Sequence, residues 1–270
     1  MNVSNRLNPV LVEIMNTRTV RDERGVNIPA FPTSINEAEG RALYNIVSDA
    51  SINKTLEIGL AYGVSTLFIC QAHYDKEVRK REARKDKHVQ TSHEWHHTTI
   101  DPWQQSYWQN IGLLNIERAG YQNMVRFVEK PSQAALPELW QANEQFDFIF
   151  IDGAHLYDYA FLDFWYADQL IKQGGLIMLH DLIMPAIRKL LAFVLRNYTT
   201  YRIEPAFHFG KQPPWRKLTR LLRSFAQSPT DVYGWSLPFT QGYIDLFARN
   251  YCVLRKVGED TRAWDHYQAF

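Results

Sequence analysis

Two stretches of this chain end in side chains able to move a proton. In FDFIFIDGAH, an apolar run leads into Asp152, with His155 three residues on; in GGLIMLHDL, a second apolar run leads into His180 and Asp181. An imidazole titrates near neutrality and accepts a hydroxyl proton without a large pKa shift, and a nearby carboxylate can orient it or position a substrate. Read as strand ends, the two runs deliver these acid and imidazole groups to one carboxyl edge of a parallel sheet, where open α/β sheets bind their ligands. The plainer alternative is a structural histidine tied to a neighbouring loop. Asp158 and Asp163, on the following helix, are read as capping and solvating it, Asp163 being at most a supporting group.

The elements that must position these groups open with TLEIGLAYGVSTLFIC. Residues 55–58 read as a buried strand, Gly59 and Gly63 as a tight turn, and the following residues as a helix. Glycines at such a junction let backbone approach a ligand, and the helix N-terminus offers unpaired N–H groups. The pattern is E-x-G-x-x-x-G, with Ala61 where the dinucleotide fingerprint has its middle glycine. The second strand ends at Asp101 in HTTIDPW, an acid placed to bond the ribose hydroxyls of a nucleoside cofactor. Its spacing from the turn is lengthened by a charged insertion, and capping the next helix is the alternative.

Strands are predicted over 55–58, 98–100, 125–128, 146–151, 176–179, 201–205 and 251–257, the last as an antiparallel edge. Helices are predicted over 64–74, 105–119, 133–141, 157–171 and 185–196, after a first helix capped by Ser34 and Glu37 and running to about residue 50. Gly174 and Gly175 read as a break before the fifth strand. The alternation predicts an α/β fold: a Rossmann-like, mostly parallel seven-stranded sheet with helices on both faces and an antiparallel last strand. Residues 1–33 read as an N-terminal arm, and 34–270 as one domain with insertions at about 75–97 and 209–241.

With 270 residues, 46% hydrophobic and 22% charged, the chain can build a sizeable core. Its net charge of +1 argues against wholesale phosphate-backbone binding, so no nucleic-acid partner is expected. Cys70 and Cys252 are the only cysteines and read as buried free thiols in a reducing cytoplasm. No signal peptide or transmembrane run is read, so the expected location is cytoplasmic. The charged run at 76–87 reads as a solvated helical extension. His93, Glu94 and His97 match H-E-x-x-H only by accident of spacing, since neither a long helix nor a third ligand follows. Arg216, Lys217, Arg220 and Arg223 mark a basic amphipathic helix, read as packed on the surface.

Glu57 before Gly59, the Ser132-Gln133-x-x-Leu136-Pro137 turn, and the array Asp152…His155…Asp158…Asp163…Gly174-Gly175…His180-Asp181 together resemble the class I S-adenosylmethionine-dependent methyltransferases. Within that class the likeness is to the catechol-O-methyltransferase-like group of small-molecule O-methyltransferases and its uncharacterised bacterial members, over roughly 34–205. The resemblance implies S-adenosylmethionine as cofactor, bound by Glu57, Gly59, Gly63, Asp101, Ser132, Gln133 and Asp152. It implies methyl transfer to a hydroxyl of a small molecule, with S-adenosylhomocysteine (SAH) released. His155 stands at the group's general-base position, and Asp152 and Asp181 complete the catalytic set, Asp181 orienting His155.

The metal-dependent members hold a divalent cation with two carboxylates and an amide. Here Asp152 and Asp181 match the carboxylates, but Leu182 stands in the amide's place, with His180 as the available substitute. A metal is therefore an open alternative. Two other functions remain at this stage: an NAD-type oxidoreductase on the same fold, which the glycine pattern disfavours, and a non-catalytic nucleoside-cofactor-binding protein. Acceptor contacts are expected from the arm, residues 104–108 and residues 209–241; a homo-oligomer is left open.

Overall fold

A computed structural model describes residues 7–84, 96–204 and 250–270. The insertion at 209–241, its basic helix, and His93 with Glu94 lie outside the described residues. The chain divides into two compact units, 1–135 and 136–270.

In the first unit, α1 (Pro9–Thr17) leads to a hairpin of β1 (Thr19–Arg21) and β2 (Asn27–Pro29), then to α2 (Glu37–Val47). The arm is thus structured: Val10, Leu11, Ile14 and Val20 are buried, and the Asn8 side chain donates to the Ala119 carbonyl at 3.0 Å. So short an apolar face, inside a polar stretch, gives little periodicity to read. The capping box of α2 is Asn36 with Glu39, not Ser34 with Glu37. Asn36 Oδ1 accepts from the amides of Ala38 and Glu39, and Glu39 Oε2 accepts from the Asn36 amide at 2.8 Å. The same i,i+3 spacing recurs two residues later, and Glu37 instead pairs with Arg41 at 2.7 Å.

Next come β3 (Thr55–Ile58), α3 (Val64–Arg84), β4 (His97–Ile100), α4 (Ile111–Arg118), β5 (Val125–Val128) and α5 (Ser132–Gln141). β3 pairs parallel with β4, and β4 with β5. Every residue of β3 and β4 is buried, as a strand covered on both faces requires. The charged run extends α3, with Lys80 pairing Glu77 at 3.1 Å. Residues 105–110, expected in a helix, form turns, and α4 starts only at Ile111 after Gln109 and Asn110 adopt positive φ.

The second unit holds β6 (Phe146–Ile151), α6 (Tyr157–Leu170), β7 (Ile171–His180), α7 (Pro185–Asn197), β8 (Tyr201–Ile203) and β9 (Tyr251–Lys256). β6 and β7 pair parallel; β9 is antiparallel to both β7 and β8. Two expectations are corrected. Gly174-Gly175 lies inside β7, where the pairing register shifts, rather than before it. β9 is antiparallel but not an edge, because β8 lies outside it.

The seven strands β3 to β9 run in the order β5-β4-β3-β6-β7-β9-β8, a mostly parallel sheet with its last strand antiparallel, as the alternation predicts. Cys70 and Cys252 are buried free thiols. No described helix is long and apolar enough to cross a membrane.

Candidate active site

The first unit carries the glycine turn. Gly59 (φ 100°) and Gly63 (φ 77°) sit in the left-handed region, and so does Ala61 (φ 45°), where a side chain costs roughly 1 kcal/mol. Two side chains hold that residue. The Ala61 amide donates to Asp101 Oδ2 at 2.8 Å, and its carbonyl accepts from Gln104 Nε2 at 2.8 Å. Asp101 Oδ2 also accepts from the Leu60 amide at 3.1 Å and Gln104 Nε2 at 3.2 Å, while Oδ1 accepts from the Trp103 amide at 2.7 Å. Asp101, only 3% exposed, is therefore first of all the pin of the turn.

Asn115, fully buried on α4, donates to the Tyr62 carbonyl at 3.0 Å. α4 also presses its first turn on the loop: a Cβ on Gly112 would lie 2.5 Å from the Ala61 carbonyl oxygen. Gly112 and Asn115 were not legible as site residues, and Gln104 was read only within the acceptor-contacting segment 104–108, because each meets a backbone carbonyl brought close only by folding.

Glu57, on β3, is fully buried. Its Oε2 accepts from the Thr66 hydroxyl and lies 3.2 Å from His97 Nε2, while Oε1 has no hydrogen-bond partner among the described residues. His97 sits in β4, not on a helix, so the H-E-x-x-H spacing does not share a helical face. Ser132 opens α5 half-buried, and Gln133 beside it is exposed.

The second unit carries the acid–imidazole cluster at the carboxyl ends of β6 and β7. His155 Nε2 lies 2.8 Å from Asp181 Oδ2 and 3.9 Å from Asp152 Oδ1. His180 Nδ1 lies 3.0 Å from Asp152 Oδ1 and 3.5 Å from Asp181 Oδ1. The carboxylates of Asp152 and Asp181 raise the His155 imidazole to about 9, against the opposing effect of burial. Burial pushes Asp181 upward, but the His155 hydrogen bond, the charge of His180 and the Asn250 amide outweigh it and bring its carboxyl to about 2. Burial likewise acts on Asp152, and the two histidines overcome it, holding the carboxyl below its ordinary value.

Asn250, one residue before β9, was not singled out in the sequence. Its Nδ2 donates to Asp181 Oδ1 at 2.9 Å, and its Oδ1 accepts from the Ile183 amide at 3.1 Å. Its own carbonyl accepts from the Leu182 amide at 3.2 Å. Asp181 (φ 56°) and Asn250 (φ 64°) both adopt the left-handed conformation that Asn and Asp tolerate best. This clasp turns Asp181 Oδ2 toward His155.

Asp152, His155 and Asp181 each offer one ligand atom, all within 4.8 Å of one another, a spacing that suits a metal ion. The third member is His155 rather than His180, whose Nδ1 faces Asp152. Asp163 is 1% exposed on α6, which corrects its reading as a solvated residue; Asp158 is exposed as expected.

Residues 56–182 match a family model described as "Methyltransferase domain". Among curated proteins, none matches the chain. Three solved structures share its architecture. An O-methyltransferase from Bacillus cereus, in complex with SAH, is 19% identical, with 75% of this chain and 86% of that one covered and a TM-score of 0.55. The O-methyltransferase TomG from Streptomyces achromogenes, involved in tomaymycin synthesis and in complex with SAM, is 17% identical, covering 76% and 91%, with a TM-score of 0.51. The SAH-bound methyltransferase PaMTH1 from Podospora anserina is 14% identical, covering 94% and 90%, with a TM-score of 0.55. At these identities the likeness is one of fold. Residues 56–182 thus match the model of a methyltransferase domain, and the sheet has the fold seen in these methyltransferase structures.

Proposed function

We propose that this chain transfers the methyl group of S-adenosylmethionine to a hydroxyl of a small molecule, with His155 as general base. The observation that carries the reading is the 2.8 Å contact from His155 Nε2 to Asp181 Oδ2, with Asp152 beside it, in a chain whose residues 56–182 match a methyltransferase family. The glycine pattern, with Ala61 in the middle glycine's place, disfavours an oxidoreductase on the same fold.

Two features of the turn fit the cofactor. Gly59 and Gly63 leave the backbone bare of side chains, and Glu57 Oε1 is a buried carboxylate oxygen without a partner among the described residues, suited to a cationic ligand. Glu57, Gly59, Gly63 and Asp101 would hold the cofactor, with Ser132, Gln133 and Asp152 as further contacts. When bound, S-adenosylmethionine supplies an electrophilic methyl group on a sulfonium. His155 takes the acceptor's hydroxyl proton as the oxygen bonds to the methyl carbon. The carbon–sulfur bond would break with its electron pair staying on sulfur, and Asp181 would hold the resulting imidazolium.

In the free protein His155 is already a cation at neutral pH, because its imidazole titrates at about 9. Base catalysis uses its neutral form, so turnover should climb with pH. The second reading is a divalent cation held by Asp152, His155 and Asp181, favoured by the spacing of their ligand atoms. Such an ion would lower the acceptor hydroxyl's pKa as a Lewis acid. Asn250 turns its Nδ2 to Asp181 and its Oδ1 to the Ile183 amide, and the candidate ligand set remains Asp152, His155 and Asp181. Methyl transfer from labelled S-adenosylmethionine to a panel of hydroxylated acceptors, with and without chelator, tests both readings. The first expects labelled product that survives chelation, and the second expects product lost with the metal.

A further inference from the structure

A buried polar chain in the first unit is used by none of the chemistry above. It runs from Glu57 through His97 and Thr55 to His73. His97 Nε2 lies 3.2 Å from Glu57 Oε2, His97 Nδ1 lies 2.9 Å from Thr55 Oγ1, and Thr55 Oγ1 lies 3.1 Å from His73 Nε2. Glu57, His97 and Thr55 are fully buried and His73 is 2% exposed. Burial holds His73 neutral, its imidazole well below the ordinary value.

The hydrogen-bond inventory limits where the protons go. Thr55 has one hydroxyl proton and three places to send it, His97 Nδ1 at 2.9 Å, the His96 carbonyl at 3.1 Å or His73 Nε2 at 3.1 Å. If the proton goes to Nδ1, His97 is neutral and its hydrogen sits on Nε2. If it goes to the carbonyl or to His73, Nδ1 must itself donate to Thr55, and Nε2 carries a hydrogen only where both ring nitrogens do. An Nε2–H, which the first arrangement carries and the others carry only when doubly protonated, would be aimed at Glu57 Oε2, 3.2 Å away. Thr66 donates to the same oxygen, so Oε2 is doubly held while Oε1 is left without a partner among the described residues. A carboxylate buried this deeply keeps its charge only through such donors.

We propose that His97 is a positioning residue for the cofactor: its Nε2, as a hydrogen-bond donor, holds the Glu57 carboxyl group oriented at the foot of the glycine turn. This inference rests on the cofactor reading. The Oε1 of Glu57, two residues before Gly59 and without a partner among the described residues, then offers an acceptor to a ligand carrying sulfonium and ammonium charges. His97→Leu removes the donor. His97→Gln keeps an amide N–H in reach of Glu57.

The test is S-adenosylmethionine affinity by isothermal titration for wild type and both variants in the full chain, beside thermal melts and the histidine ¹⁵N spectrum of the wild type. His97→Leu is expected to weaken binding about tenfold or more, and His97→Gln to recover to within about threefold, while the two melt at similar temperatures. The wild-type spectrum should show His97 protonated at Nε2. Equal, wild-type affinity in both folded variants overturns the proposal, as does an Nε2 without a hydrogen; the spectrum decides the matter alone if either variant fails to fold. A wild type that binds neither S-adenosylmethionine nor SAH removes the cofactor reading itself, and the inference with it.

Discussion

His155 Nε2 stands 2.8 Å from Asp181 Oδ2, and the pair ties the loop after β6 to the end of β7. On the proposed reading His155 is the proton acceptor and Asp181 supplies part of the charge that governs its titration. Because Asp152 and Asp181 raise the imidazole to about 9, the pair behaves as an ion pair over most of the physiological range.

The pH dependence follows with a definite sign. On the proposed reading neutral His155 is the reactive form, so kcat/KM should rise with pH, reach half its plateau near 9 and level off above that. Stability moves the other way: a raised folded-state pKa stabilises fully below the ordinary imidazole value near 6.5, and that contribution fades as pH rises through about 9. Asp181, brought to about 2, stabilises above the ordinary carboxylate range and loses that contribution as pH falls through about 2. A pH–rate profile beside a series of melts would show the opposing trends; a rate flat from pH 6 to 9 speaks against His155 as base.

His155→Ala should lower kcat by roughly 10²–10⁴-fold, the usual range for a general base, and leave S-adenosylmethionine affinity near wild type. Asp181→Asn removes the charge facing His155 and should move the rise of the pH–rate profile down by about one unit or more. Steady-state kinetics across pH for the two variants separates a lost base from a lost orienter.

Asn250→Ala should cost about 1–2 kcal/mol of stability for the hydrogen bonds it makes to Asp181 and the Ile183 amide. It should also reduce kcat with unchanged cofactor affinity, because Asp181 loses the donor that sets its rotamer. Denaturant melts and a kcat-against-KM comparison measure the two effects; weaker cofactor binding with normal kcat would contradict this role.

Much of this architecture was legible. β5 and β6 were predicted with the bounds observed, since their apolar runs are sharply bounded by polar and turn residues. The glycine turn, Asp101 and the Asp152–His155–His180–Asp181 array were read from residue types following such runs. What escaped depends on long-range closure. Asn250 lies 69 residues from Asp181, and Gln104 lies 43 from the carbonyl it holds. No local pattern announces an amide whose partner is a distant backbone group. The arm escaped for a different reason: three buried side chains on one short helix leave too faint a period.

Gly112→Ala probes the turn directly. The added methyl would sit 2.5 Å from the Ala61 carbonyl oxygen and 2.8 Å from Gln104 Oε1, so α4 or the turn must shift. A loss of about 1–3 kcal/mol is expected, with weaker S-adenosylmethionine binding and no change in the pH at which the rate rises. Unchanged affinity would mean that the turn does not bind the cofactor.

Isothermal titration of the wild-type chain with S-adenosylmethionine and SAH tests the central claim most directly. The account predicts that both bind in the micromolar range, and that Asp101→Ala, which releases the turn, loses both. Absence of heat with either ligand, for a wild-type protein shown to be folded, would contradict it.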